Sequence, residues 1–344
     1  MRDRYDYCVF LARCQPPHNT HIQIIQKALD ISSKKALIVL GSHRASPDIK
    51  NPWNAHQRAE MIRVCFSPED QARLSFISVA DHHYNDNVWI AEVHQKVRRA
   101  MEEPISDTVA LIGHHKDASS YYLDLFPNWQ FIESGLFVKS TMAATTIRES
   151  YFGGTDAWEK LVLPPTAEIL KQFKETNEYK YLVGEHHHIQ QYKESWASTP
   201  YPVTFVTTDA VVTKAGHVLL VKRKANPGKG LFALPGGFLA SNQPLLDSAL
   251  RELQEETGIK IPTREMKKYL VDSRPFDFPE RSLRGRTVTF AFHFRLPDGG
   301  DLPGVAGGDD AEDAFWMPIG ELREVQDRFY EDHLHIIEHF IFKA

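Results

Sequence analysis

Cysteine is scarce in this chain: 344 residues hold three, Cys8, Cys14 and Cys65, with no Cys-x-x-Cys pair among them. Three thiols cannot all pair with one another, so a disulfide framework is excluded and a reducing, cytoplasmic setting is expected. Long hydrophobic runs are missing too, since no stretch approaches the ~20 apolar residues that cross a bilayer. The apolar run inside MRDRYDYCVFLARC reads as a first strand and not as a signal peptide. Basic charge is not in excess either. A formal net charge of -5 leaves no footprint for nucleic-acid polymers or a membrane surface, so neither is an expected partner and phosphate recognition must be local. Internal repeats and low-complexity tracts are absent. With 42% hydrophobic and 25% charged residues, the chain suits two domains that each bury a core.

Two rhythms divide it. The pattern predicts strands at 7–11, 36–40, 74–79, 109–112 and 130–132, alternating with helices near 20–29, 54–66, 88–101 and 145–152, which argues for a doubly wound parallel sheet. Residues ~160–200 turn polar and aromatic and read as a partly ordered connector. After Pro202 come hairpins: VTFVTTDAVVT, a turn at Lys214-Ala215-Gly216, then HVLLVKRK, with RTVTFAFHFRL further on. Helical segments near 319–325 and 328–342 end the chain. The expected domains are 1–182 and 202–344, joined by a connector at 183–201.

Chemistry-bearing residues cluster where the predicted parallel strands end. Arg13-Cys14-Gln15-Pro16-Pro17-His18-Asn19-Thr20-His21 leads from the first strand into the first helix. Its two histidines face one side of a helix start, where orphan N–H groups and the positive dipole end favour a phosphate. Gly41-Ser42-His43 follows the second strand, with Asn51-Pro52-Trp53 and Arg58 beyond; Asp86-Asn87-Val88-Trp89 follows the third; Gly113-His114-His115-Lys116-Asp117 follows the fourth. Open α/β sheets bind ligands at these carboxyl ends. Ala143-Ala144-Thr145-Thr146-Ile147-Arg148 adds a hydroxyl and a guanidinium three residues apart, suited to a polyphosphate.

The second half carries GFLASNQPLLDSALRELQEETGI, residues 237–259. Leu246, Ala249, Leu250 and Leu253 recur at helical spacing. Glu252, Glu255 and Glu256 fall within roughly 100° of arc beside that stripe. Such hard oxygen ligands select Mg²⁺ or Mn²⁺; the alternative is a solvated acidic face. Downstream, Arg281, Arg284 and Arg286 could hold a terminal phosphate or ribose, or form a solvated basic loop. Asp310 or Glu312 could serve as base or added metal ligand, or merely cap the next segment.

Gly237, Arg251, Glu252, Glu255, Glu256, Gly258 and Ile259 resemble the Nudix box, with Gln243 where that family has its first Glu. QPPH-x-x-H and TTIR resemble the HxGH-type and (S/T)xxR-type motifs of the nucleotidylyltransferase superfamily, with departures at Asn19-Thr20 and Ala143. The remaining clusters narrow the resemblance to adenylyltransferases of nicotinamide mononucleotide (NMN) of the archaeal-like group. The whole chain is thus similar to the bifunctional NMN adenylyltransferase/Nudix hydrolase proteins. The resemblance implies a doubly wound nucleotidylyltransferase domain followed by a Nudix α/β/α sandwich with a mixed sheet.

It also implies two activities: adenylyl transfer from ATP to NMN, giving NAD and pyrophosphate, and metal-dependent hydrolysis of ADP-ribose to AMP and ribose 5-phosphate. For the first, His18, His21 and Arg148 would stabilise the triphosphate with help from Arg13 and Lys116. Asn51 would read the nicotinamide amide, and Trp89 would stack on the ring unless it is a core aromatic. Gln15, Gly41, Ser42, Gly113, Asp117 and Thr145 complete the ATP/NMN set, with Arg58 either a ligand contact or a structural ion pair. For the second, Glu252, Glu255 and Glu256 would hold Mg²⁺ or Mn²⁺, the last two as catalytic carboxylates, while the residue at 243 pairs with Arg251. The alternatives are hydrolysis of NADH or a nucleotide sugar, or a sensor that binds ADP-ribose without cleaving it. Expected partners are therefore the small nucleotides ATP, NMN, NAD and ADP-ribose, with room for a homo-oligomer.

Overall fold

The computed structural model describes residues 5–102, 108–115, 118–135 and 144–342, which form two compact units, 1–186 and 187–344. In the first, β1 (Tyr5–Ala12), β2 (Ser32–Leu40), β3 (Leu74–Ser78), β4 (Val109–Gly113) and β5 (Gln130–Glu133) alternate with α1 (Asn19–Ile31), α2 (Ala55–Arg63), α3 (Pro68–Ala72) and α4 (Asp86–Ala100), and α5 (Ala144–Phe152) follows. All strand pairs are parallel, in the order β3-β2-β1-β4-β5. The predicted alternation is what the structure shows.

β1 is apolar on both faces because helices cover both. Cys8 and Phe10 pack with Ile22, Ile25 and Leu29 of α1, whereas Tyr7, Val9 and Leu11 pack with Val93 and Val97 of α4. The strand order reverses beside β1, so the loops after β1 and β4 diverge and open a crevice at the carboxyl end of the sheet.

The expected connector is a correction. Residues 164–173 form α6 (Pro164–Phe173), and α7 (Asn177–Ser195) runs unbroken through residues 183–195 and across the boundary between the units. Trp158, Leu170, Phe173 and Leu182 build a core with Trp53, Tyr151 and Phe152. The sequence hid this because α7 buries only a thin stripe, Leu182, Glu185 and Ile189, within an otherwise polar helix.

The second unit holds β6 (Thr204–Lys214), β7 (His217–Arg223), β8 (Phe232–Ala233), β9 (Gly236–Phe238), α8 (Leu245–Thr257), α9 (Thr263–Met266), β10 (Leu270–Phe276), β11 (Arg286–Arg295), β12 (Ala311–Pro318) and α10 (His333–Ile341). Its sheet is mixed: β6 and β11 are parallel, while the other pairs are antiparallel. Ala249, Leu250 and Leu253 of α8 pack on Ala210, Val212, Phe292 and Phe294 on one face. Phe340 of α10 packs on Phe276 and His293 on the other. Gly258 stops α8 in the left-handed conformation at φ +58, its N–H bonded to the Gln254 carbonyl. No described helix is long and apolar enough to cross a membrane.

Two candidate active sites

Gln15 pins the turn between β1 and α1. Its Nε2 donates to the Trp53 carbonyl at 2.8 Å, and the Trp53 N–H donates to Gln15 Oε1 at 3.2 Å. The turn delivers His18 to the N-cap of α1 and His21 to its first turn, with the rings stacked at 3.6 Å and 23°. The His18 N–H donates to His21 Nδ1 at 3.3 Å, which leaves the proton of a neutral His21 on Nε2. Burial depresses both imidazoles, His18 to about 4, and His21 is lowered further by the charge of its neighbour. Both are therefore neutral at pH 7 and serve as hydrogen-bonding dipoles. His18 Nδ1 is buried with no partner among the described residues.

Arg148 arrives over the same turn from α5. Its Nη1 donates to the Gln15 carbonyl at 2.6 Å and its Nη2 to Thr145 Oγ1 at 3.2 Å. Across the crevice, the Ser42 N–H donates to Asp81 Oδ1 at 3.2 Å and the Asn51 N–H to Asp48 Oδ1 at 2.5 Å, while Ser42 Oγ and Asn51 Oδ1 stay buried without partners among the described residues. Sequence reading missed Asp48 and Asp81, which hold these loops; only their places beside Gly41-Ser42 and Asn51-Pro52 signalled them. At Gly113 an added Cβ would lie 2.8 Å from Leu123 Cδ2, so the loop after β4 starts from a residue that tolerates no side chain. Lys116 and Asp117 lie outside the described residues. Trp89, in the first turn of α4, packs edge-on against Tyr122 and Phe126, half-buried.

Arg58 is fully buried and bonded to backbone: Nη1 donates to the carbonyls of Arg13 at 2.5 Å and Gly41 at 2.8 Å, and Nε to that of Asn54 at 3.3 Å, while Nη2 is buried without a partner among the described residues. Desolvation lowers it to about 10, still protonated at neutral pH. It ties together the ends of β1 and β2 and the start of α2, and through Arg13 it shapes the site's rim.

In the second unit, the box helix faces β9. The Gly236 N–H donates to Glu256 Oε2 at 2.9 Å, and a Cβ on Gly237 would fall 2.7 Å from the Glu252 carboxylate. Arg251 lies between three acceptors, with Nε to Gln243 Oε1 at 3.0 Å, Nη1 to Glu255 Oε2 at 2.5 Å and Nη2 to Glu252 Oε1 at 2.6 Å. The expected partnership of residue 243 with Arg251 thus exists in amide form. Burial raises Glu252 and Glu256, the latter to about 8, and repulsion between the two carboxylates adds to it. A divalent cation would relieve that repulsion, so the hard-oxygen donor set fits one. Among the described residues, no three ligating side chains already converge on one point.

Downstream, three of the expected residues have protein partners. Arg281 forms a bidentate pair with Asp332 at 2.7 and 3.0 Å, both side chains being 2% exposed, so it is a core ion pair and not a phosphate ligand. Arg286 donates to the Asp277 carbonyl at 2.6 Å from the start of β11. Glu312 pairs with Lys222 at 3.1 Å. The loop carboxylate whose charge reaches Glu252 is Asp309 instead, because the Gly308 N–H bonds the Glu256 carbonyl at 3.1 Å and draws the loop onto α8. Behind β9 lie groups the sequence did not announce. Asp209 accepts from Thr289 Oγ1 at 2.5 Å and is pushed by burial to about 6. His333 Nδ1 accepts the Leu234 N–H at 2.9 Å. No spacing motif links them.

Residues 203–340 match the family model of the NUDIX domain, and residues 9–121 match that of cytidylyltransferase-like proteins. A nicotinamide/nicotinic acid mononucleotide adenylyltransferase of Acinetobacter baylyi is 43% identical over 179 residues, 52% of this chain and 92% of that protein. An ADP-ribose pyrophosphatase of Methanocaldococcus jannaschii is 37% identical over 117 residues, 34% of this chain and 63% of that protein. The crystal structure of a bifunctional NMN adenylyltransferase/ADP ribose pyrophosphatase from Francisella tularensis, complexed with AMP and a Mn ion, superposes with a TM-score of 0.90 at 34% identity, covering 98% of this chain and 99% of that one. With both folds and nearly its full length matched in one protein, this chain belongs to the family of bifunctional NMN adenylyltransferase/ADP ribose pyrophosphatases.

Proposed function

We propose that the first unit transfers the adenylyl group of ATP to NMN, releasing NAD and pyrophosphate, and that the second hydrolyses ADP-ribose to AMP and ribose 5-phosphate. Support for the first reaction comes above all from one juxtaposition: the α1 N-terminus, its two neutral imidazoles and the Arg148 guanidinium gather on a single turn. As an NMN phosphate oxygen attacks the α-phosphorus, negative charge grows on the departing pyrophosphate. His21 Nε2–H, the α1 amides and Arg148 would meet it, and no covalent help from the protein is needed. Thr145 steadies Arg148. Asn51 Oδ1, buried and unpartnered among the described residues, suits the amide hydrogens of nicotinamide, and Trp89 offers its ring from the edge of the core.

Hydrolysis is supported by the carboxylates gathered at Gly236 and Gly237. Glu252 and Glu256 would hold Mg²⁺ or Mn²⁺, joined by Glu255 on release from Arg251 or by Asp309. Such an ion, when bound, polarises a diphosphate and acidifies a water. The Gly236 N–H orients Glu256, Arg251 bridges Glu252 and Glu255 while Gln243 holds its Nε, and the bare Gly237 leaves room for the Glu252 carboxylate. Incubating the protein with ATP plus NMN, or plus the nicotinic acid analogue, and separately with ADP-ribose, each with Mg²⁺ or Mn²⁺, tests both activities by chromatography of the products. NAD with pyrophosphate, and AMP with ribose 5-phosphate, are expected. Unchanged ADP-ribose under every metal would leave the second unit a binding module.

A further inference from the structure

We infer that Glu92, on α4, is a positioning residue of the transferase site: it fixes the loop between β3 and α4 and, through that loop, both the Gly41-Ser42 turn and the helix start that bears Trp89. The inference rests on the transferase reading above and adds to it a residue outside the groups that would face the ligands. Three donors hold the Glu92 carboxylate: Oε1 accepts the Ala80 N–H at 3.3 Å and Lys96 Nζ at 2.6 Å, and Oε2 accepts from His82 Nε2 at 2.8 Å. Lys96 is itself anchored, since its Nζ also donates to the Ser78 carbonyl at 2.6 Å. The Glu92 side chain is only 19% exposed, so water screens these bonds little. Burial works to raise its carboxyl, yet the bonds from His82 and Lys96 outweigh burial and hold the group down at about 2, which leaves it charged at neutral pH.

Ala80 and His82 flank Asp81, so Glu92 sets where the Asp81 carboxylate points. Asp81 Oδ1 accepts the Ser42 N–H at 3.2 Å and lies beside Gly41, and its charge reaches Arg58. Ser42 needs such a brace, because its backbone sits in the left-handed region at φ +52, where a residue with a side chain is strained. The His43 N–H adds a bond to the Val79 carbonyl at 2.9 Å and ties the loops after β2 and β3 together. From His82 the contacts also run the other way. Its carbonyl accepts the Asn85 N–H at 2.9 Å, the Asn85 side chain caps α4 by accepting the Val88 N–H at 3.2 Å, and the Asn85 carbonyl accepts the Trp89 N–H at 3.3 Å. Glu92 lies about one turn below Trp89 on the same helix face, so its carboxylate folds the loop back onto the helix that the loop launches. The histidine turn after β1 is held separately, by Gln15 and Trp53. Glu92 therefore acts on the side of the crevice where Trp89 and Asn51 would receive NMN.

In the full chain, Glu92→Ala should raise the KM for NMN at least tenfold, while kcat and the KM for ATP change no more than threefold. His82→Ala should raise the same KM, and the double variant should exceed Glu92→Ala by no more than twofold, because both changes break one latch. Glu92→Gln can still accept the Ala80 N–H but loses the charge that His82 and Lys96 share, so it should fold if Glu92→Ala does not and still raise the KM for NMN at least threefold. A merely structural role predicts a lower unfolding temperature with that KM unmoved. A KM for NMN within twofold of the natural value in both Glu92 variants overturns the inference, as do effects of Glu92→Ala and His82→Ala that multiply in the double variant. Calorimetric titration with NMN separates the inference from the reading beneath it. If the natural chain makes no NAD yet binds NMN at least tenfold more tightly than Glu92→Ala, the transferase reading fails and the positioning role stands; if it makes NAD and the variant binds NMN equally well, the positioning role fails alone. A natural chain that neither makes NAD nor binds NMN overturns both.

Discussion

Single side chains carry most of the chemistry, and their protonation can be tested. His21→Ala removes the donor aimed from the first turn of α1, and NAD synthesis should fall by about 10² or more, measured as initial rates with circular dichroism to confirm folding. His18 is neutral in the folded chain because burial holds it at about 4 against an ordinary 6.5. Its folded value is the lower one, so the unfolded chain binds the extra proton: stability is intact above pH 6.5 and is lost as pH falls toward 4. The loss should reach roughly 2 kcal/mol by pH 5, and thermal unfolding of His18→Gln should lack that share of the acid sensitivity. An equal acid response in both proteins would mean that the imidazole is hydrated. Gln243 already accepts from Arg251 at 3.0 Å, so Gln243→Glu strengthens a half-exposed pair by no more than ~1 kcal/mol and changes hydrolysis only a few-fold. A gain beyond a hundredfold would identify the natural amide as a lesion in catalysis.

At the scale of elements, the strands of the first sheet and the box helix were legible because each follows one strong periodicity that burial enforces. The pairing of residue 243 with Arg251 was legible from the box resemblance. What escaped depended on partners far away in the chain. Arg58 reads as a ligand contact or an ion pair until the carbonyls of Arg13 and Gly41 take its Nη1, and Arg281 reads as a phosphate contact or part of a solvated loop until Asp332, about fifty residues on, takes it into the core. Glu312 and Asp309 sit three positions apart, and only the loop's hydrogen bond to α8 decides which one faces Glu252. β10 and β12 have the irregular burial of sheet margins and gave no clean alternation. Arg58→Ala should strip two strand ends and a helix start of a shared donor and destabilise the first unit by about 3 kcal/mol or more. Urea unfolding would show it, with Arg58→Lys recovering only part of the loss; a midpoint unchanged from the natural chain would mean that water replaces the guanidinium.

Over the whole molecule, two motif sets on two compact units predict two separable activities. Glu256→Gln should abolish ADP-ribose hydrolysis and leave NAD synthesis intact, and His21→Ala should do the reverse; assaying both activities in both variants, with excess Mg²⁺ and Mn²⁺, decides it. A folded variant that loses both activities would show that the sites share a step. One feature of the chain also governs where it can be divided. Since α7 continues through the boundary at His186 and His187, a break anywhere within it would strip carbonyl and amide partners from both new ends. The stretch just beyond, residues 196–202, is exposed throughout. A nonspecific protease should therefore nick the native chain after the helix and not at the unit boundary, and mass spectrometry of the early fragments should find α7 whole on the amino-terminal piece. The length of polypeptide that travels with each half is then set by helix continuity, and a split version of this enzyme pair would have to leave α7 with the adenylyltransferase.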